Sequence, residues 1–325
     1  DEGVIEGRIA ATRAFAAFYR GDIAAISHLA SRALAKLPVE EVSWRSTAAH
    51  LLGDAYDLQG ETADAHSARL AAVEASKATG NSYVSLIANL KLAIILRRMG
   101  LLQQTIEICE QQMQLAEGSW LALTDVAGWL LAIWAEALAE LNDLDRAVQK
   151  GKSGVERLER GGDLAMLGSS YMALIRILFS SGDLAGAAAI AQKAERAAAS
   201  SSLPRWMFDQ TAAWQARIWL VEGDRTAVSS WAKERGLDAG DELWYLCELE
   251  HIVFARFLIA GGELDKAQAL LLRLLEAAET AGRTARVIEI QIVRALAHQA
   301  AEETDRALAA LEQALTLPEP GGFFR

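Results

Sequence analysis

A chain of 325 residues, 52% hydrophobic and 23% charged with only 4 Pro, has the composition of a globular protein and excludes a disordered one. Its 43 acidic against 32 basic residues give a net charge of −11, which opposes binding to a phosphate backbone, so no nucleic-acid contact is expected. No apolar run reaches the ~18 residues of a membrane span, and the acidic opening "DEGVIEGRIAATRAF" has no signal core.

The first unit carries "YRGDIAAISHLASRALAKL" (19–37), and the phrase then returns as "LQGETADAHSARLAAVEAS" (58–76), "SSGDLAGAAAIAQKAERAA" (180–198) and "GGELDKAQALLLRLLEAAE" (261–279). Aligned on its turn, it recurs eight times, at Gly21, Gly60, Gly100, Asn142, Gly182, Gly223, Gly262 and Glu302, with spacings of 39 to 42 residues. A near-constant period of this size predicts an all-α solenoid of helical hairpins. The turn residue supplies a left-handed conformation after one helix, and the acidic residue behind it favours the start of the next.

Two columns of small residues run through the repeats. With the turn residue as position 15, position 8 is Ala14, Gly53, Ala93, Ala135, Ile175, Ala216, Ala255 and Ala295. Position 20 is Ile26, Ala65, Thr105, Ala147, Ala187, Val228, Ala267 and Ala307. Small side chains at fixed places let paired helices approach closely, so these columns are the expected contact seam.

Repeat 2, "LLGDAYDLQGETADA" (51–65), resembles the tetratricopeptide pattern through Leu52, Gly53, Tyr56 and Ala65. The resemblance implies a right-handed superhelix whose concave surface is lined by positions 2, 5, 9 and 12 of each first helix. Later units deviate. Gly151 and Gly154 lie inside the second helix of repeat 4 and mark either a close neighbour or a flexible joint. In "ERGLDAGDELW" (234–244) the second helix of repeat 6 ends early, making it the least regular unit.

On the implied concave face, position 9 places Arg176, Arg217 and Arg256 at one level of three successive repeats, with Glu136 and Asp54 at the same position earlier. Guanidinium forks suit carboxylates or phosphates, and a basic column in an acidic chain invites an anionic ligand. Trp129 and Gln210 at position 2, and His50 and Met172 at position 5, would flank it. The alternative is that each arginine pairs with an acidic neighbour such as Glu136 or Glu222. Trp44, Tyr83, Trp206 and Trp244 recur just before the first helix of their repeats. They either line a partner-binding rim or pack under the loops. Cys109 and Cys247 are too far apart along the chain to suggest a disulfide framework, which fits a reducing cytoplasm. The five histidines have no ligand spacing, so no metal is expected.

The phrases "RTAVSSWAKERGL" (225–237), "FLIAGGELDKAQALL" (257–271), "AGRTARVIEIQIVRALAHQA" (281–300) and "ALAALEQALTLPEPGGFFR" (307–325) resemble the large ATP-dependent LuxR-type transcriptional regulators, the maltose-regulon activator family. The resemblance implies that residues 1–325 are one superhelical sensor domain, excised from a protein with an N-terminal nucleotide-binding domain and a C-terminal helix-turn-helix. The chain holds no GxxxxGK[ST] loop, so ATP would belong to the absent N-terminal domain and no cofactor is expected here. The implied function is to bind a small inducer or a regulatory protein in the groove and transmit it to the absent domains. A plain peptide-binding scaffold is the alternative. A toroid glycosidase would need two facing carboxylates, which Asp54 and Glu136 do not supply, so no enzyme activity is expected.

Overall fold

The computed structural model describes residues 2–78, 80–161, 163–200 and 206–317. Sixteen α-helices among them form eight antiparallel hairpins. The hairpins are α1 (Glu2–Arg20) with α2 (Ile23–Lys36), α3 (Val42–Gln59) with α4 (Thr62–Ala78), α5 (Ser82–Arg98) with α6 (Leu102–Ala116), and α7 (Asp125–Glu140) with α8 (Leu144–Gly161). Then follow α9 (Leu164–Ser180) with α10 (Leu184–Ala199), α11 (Trp206–Glu222) with α12 (Arg225–Arg235), α13 (Glu248–Ala260) with α14 (Leu264–Thr280), and α15 (Thr284–Ala300) with α16 (Thr304–Thr316). The tetratricopeptide-like reading of about 40 residues per hairpin holds along the chain.

All eight aligned turn residues have positive φ, including Asn142 at 63° and Glu302 at 62°. Six glycines adopt this conformation without a Cβ penalty, while Asn and Glu accept some strain to keep the register. The next residue then caps the following helix: Asp22, Asp183 and Asp224 accept hydrogen bonds from the backbone N–H of Ala25, Gly186 and Ala227.

Both small-residue columns are buried in all eight repeats, most of them completely. Repeat 4 brings two helix backbones close together. A Cβ built on Gly154 would lie 2.6 Å from the carbonyl oxygen of Gly128, and one on Gly151 would press on Leu174 at 3.2 Å. Gly154 admits a neighbouring backbone and Gly151 neighbouring side chains, and neither interrupts α8, which runs unbroken from Leu144 to Gly161. Gly53 serves differently: a Cβ there would meet the buried guanidinium of Arg69, 2.9 Å away.

Repeat 6 is the irregular unit. Helix α12 has only 11 residues and ends at the left-handed Gly236. The connection beyond it is held by Arg273, which donates to the carbonyl oxygens of Ala239 (2.8 Å) and Asp241. It leads to a short 3-10 turn, Tyr245–Cys247, before α13.

That turn reaches back to the start of the chain. Leu246 joins an apolar cluster with Ala14, Ala17, Leu51, Ala55 and Leu58, and the Tyr245 ring lies against Gly60. Arg283, at the N-terminus of α15, sits 5.1 Å from the Tyr245 ring centroid and donates to the Gly60 carbonyl at 3.5 Å. The superhelix therefore coils far enough for repeats 7 and 8 to touch repeats 1 and 2.

Candidate functional site: the charged concave groove

Each first helix repeats one inward-facing pattern, so charged residues at positions 2, 9 and 12 of different repeats meet inside the coil. At the N-terminal end, Asp54 lies between Arg69 (2.6 Å) and Lys91 (2.8 Å), whose ammonium also stands 4.8 Å from the Trp129 ring centroid. Burial would raise the Asp54 carboxyl, but Lys91 and Arg69 hold it well below the usual carboxylate range. Burial, reinforced by Arg69, pushes the neighbouring His50 imidazole down to about 3, so it is neutral at physiological pH. Asp57 pairs with Arg98 one turn further along.

In the middle, Glu136 and Glu140 point from one face of α7, each only 7% exposed. Arg176 of α9 bridges them, at 3.5 Å from Glu136 and 2.8 Å from Glu140, while Arg97 approaches Glu136 from α5 at 3.3 Å. Burial works against the charge on Arg176, but Glu140 and then Glu136 outweigh it and raise its pKa above the ordinary arginine value. This level of the groove is charge-matched.

The C-terminal end is not. Arg217 packs against Phe179 (5.1 Å) and Trp214 (4.8 Å) and pairs with Glu289 of α15 at 3.0 Å, across the intervening repeat. Arg286 joins Glu289 (2.6 Å) to Glu248 (3.2 Å), and Arg283 pairs with Glu248 at 2.8 Å. Burial would raise the Glu289 carboxyl, yet Arg286, Arg217 and Arg256 together bring it down to about 2. Arg256 makes no hydrogen bond or ion pair among the described residues, and its Nε is buried. Burial first, and then the neighbouring Arg217, push its guanidinium down to about 10.

Thus Arg176, Arg217 and Arg256, at the same position of three successive repeats, stand in three different states. Glu136 pairs with Arg176 as the ion-pair alternative requires, whereas the exposed Glu222 forms no pair among the described residues. Trp129 is half-buried beside Lys91, Met172 is half-buried against the core of the later repeats, and Gln210 is half-buried in the first turn of α11.

The aromatic set divides. Trp44 lies within α3, half-buried against the Ala10, Leu37 and Ala48 cluster with Arg8 6.0 Å from its ring centroid. Tyr83 stacks on Trp120 at 5.9 Å, and Trp120 is the exposed partner. Trp244 is 50% exposed at the repeat 6–7 connection. Trp206 opens α11, and its side chain lies outside the described residues, as does the 318–325 stretch of the closing phrase.

Several charged contributors escape the position-9 reading. Glu289 stands at position 2 of repeat 8, where the same counting finds it. Asp57 and Arg97 occupy position 12 of repeats 2 and 3. Arg69 has no such signal, because it enters from a second helix through the space left by Gly53. Among the described residues no cluster of three or more His, Cys, Asp or Glu could hold a metal ion, and no helix is long and apolar enough to cross a membrane.

Residues 7–325 match the family described as the MalT-like TPR region. Comparison with curated proteins gives no significant match. Among solved structures, the chain is similar to a Rap protein complexed with competence and sporulation factor, at 13% identity and a TM-score of 0.69, over 88% of this chain and 79% of that one. It is also similar to the Rap conjugation gene regulator of plasmid pLS20 in complex with the Phr* peptide, at 14% identity and TM-score 0.61, covering 88% and 78%. A third is a STAND signal-transduction ATPase with a tetratricopeptide repeat sensor from Pyrococcus horikoshii, at 14% identity and TM-score 0.53, covering 91% of this chain but 47% of that chain. At these identities the likeness is one of fold.

Proposed function

Because the chain belongs to the MalT-like TPR region family, we propose that it is the signal-sensing, effector-binding domain of an ATP-dependent LuxR-type regulator in the cytoplasm. Its concave groove binds a small inducer or regulatory protein and passes the event to a nucleotide-binding and a DNA-binding domain of the same protein. The domain has no catalytic role in this reading.

One observation carries the proposal: the groove and the closure of the coil share a charge network. Glu289 pairs with groove-lining Arg217 and, through Arg286, is linked to Glu248 and Arg283, which rests on Gly60 of repeat 2. A ligand that competes for Arg217 or Glu289 therefore acts on the contact between the two ends of the superhelix. Such a ligand switches the domain only if it prefers one degree of closure; equal affinity for both would change nothing.

A thermal-shift screen against sugars, aromatic acids, phosphorylated metabolites and short peptides tests this, paired with distance measurements between spin labels on repeats 2 and 7. A ligand at ~100 times its dissociation constant should add about 2.7 kcal/mol of stability and shift the label distance. Ligands that stabilise without moving the labels would refute the switch. The second reading, a peptide-binding scaffold, draws on the Phr* complex of a structurally similar Rap regulator; peptide binding with an unchanged label distance favours it.

A further inference from the structure

The groove's charges do not balance at its C-terminal end, and the excess is localised. Around Glu248 and Glu289 stand four guanidiniums, those of Arg217, Arg256, Arg283 and Arg286. Pairing accounts for three of them, leaving Arg256 without a partner among the described residues. Its half-buried position deprives it of much of its hydration, and the repulsion of Arg217 outweighs the attraction of Glu289, which lies beyond ion-pair distance. A guanidinium in that position is under-solvated and offers a fork suited to two oxygens.

Beside these charges lies apolar surface. Ile259 lies one turn along the same face of α13. On α15, Leu296 holds the repeat position that Arg256 holds on α13, and Ile292 lies one turn before it. Leu296 is 48% exposed and Ile292 is 37% exposed, unusual for large aliphatic side chains on an inner surface. One fixed polar anchor beside open apolar surface is the usual make-up of a site for an amphipathic molecule.

We propose that Arg256, flanked by Ile259, Ile292 and Leu296, binds the carboxylate of a monoanionic ligand whose apolar body lies along α15. This rests on the sensor reading of the groove and names the chemical class of its ligand. A single carboxylate gives an ion-pair partner to Arg256, the one guanidinium of the four that lacks one; a second anionic group would face Glu289, which already holds Arg217 and Arg286. The carboxylate can come from a small organic acid or from the C-terminus of a short apolar peptide.

Calorimetric titration of the full chain with octanoate and octanamide, and with an apolar tetrapeptide bearing a free or an amidated C-terminus, separates these sources. The free acids should bind about tenfold to a hundredfold more tightly than their amides, with the Arg256 Nε–H resonance moving on titration. Arg256→Gln should remove the acid–amide difference, and Leu296→Asn should weaken acid and amide alike. A difference in the octanoate pair supports a small acid, and a difference confined to the peptide pair supports a peptide terminus. Equal binding of acid and amide, no binding of any probe, or an unaltered difference in Arg256→Gln overturns the proposal. Those outcomes leave the sensor reading standing if an uncharged ligand still shifts the repeat 2–7 distance; loss of every groove ligand would end both.

Discussion

Arg176 and Arg256 occupy the same register position, two repeats apart, and their surroundings differ because their neighbouring helices do. Helix α7 presents Glu136 and Glu140 four residues apart on one face, so Arg176 arrives between two carboxylates. On either side of α13, α11 offers Arg217 and α15 offers Leu296 at that level. Helix α7, which carries those carboxylates, is also packed closely on α8, with Gly128 and Gly154 allowing two backbones to meet. The unit before α13 is short, and a cleft that Arg256 does not line opens between α12 and α13, with Ser229, Lys233, Leu237, Phe254 and Phe257 on its walls. Repeats 4 and 5 thus read as a rigid, charge-matched middle, and repeats 6 to 8 as the part equipped to respond.

The sharpest way to break that contrast is to delete both arginines in turn. Arg176→Met leaves Glu136 and Glu140 with fewer countercharges in a buried site and should lower stability by about 3 kcal/mol in urea denaturation. Equal losses at 176 and 256 would erase the distinction.

Gly154→Ala probes the packing half of the comparison. Its Cβ would meet the backbone of Gly128 rather than a yielding side chain, so a loss of about 2 kcal/mol is expected. Hydrogen exchange should quicken in α7 and α8 before it does in α13. If exchange rises first in repeats 6 to 8, the middle is not the rigid part.

Acid titration examines the C-terminal network. The Glu289 carboxyl is lowered from 4.5 to about 2, so its stabilisation is complete above pH 4.5 and is lost as pH falls towards 2. In Glu289→Gln the decline between those values should be shallower. His50, neutral when folded, contributes a separate decline that starts below pH 6.5 and should persist in that variant. A Glu289→Gln profile parallel to the parent's would show that this carboxylate does not anchor the network.

The smallest effect belongs to Arg256→Met. Removing an unpaired, desolvated charge should be neutral or stabilise by about 1 kcal/mol at pH 7. A loss of several kcal/mol would mean that Arg256 is a structural residue.

The periodicity made the hairpins legible, because a turn needs a left-handed residue and two close helices need small side chains wherever they cross. Both requirements recur at a fixed spacing, and even Asn142 and Glu302 obey the first. The same counting set Arg176, Arg217, Arg256 and Glu136 at one level of their repeats, and ion pairs between repeats do form there through Glu136, Arg176 and Arg217. Counting could not reveal which arginine was satisfied. Glu222, a sequence neighbour of Arg217 suggested as a partner, is exposed and makes no ion pair among the described residues, whereas Glu289, 72 residues away, reaches Arg217. The split among the aromatics was hidden for a similar reason: Trp44 and Trp244 stand at comparable places in their repeats, but one meets a packed cluster and the other a connection that leaves it open.

The sequence by itself determined the repeat, its register and the buried seams, since these depend on local backbone preference and on spacing within one hairpin. Only the tertiary structure decided the pairing of those charges, the entry of Arg69 beside Gly53, and the closure of Tyr245 and Arg283 on Gly60. Each of these depends on the accumulated rotation between repeats, which brings together groups as many as 223 residues apart. A period states how often a position recurs; the small angle added at every step decides what it meets.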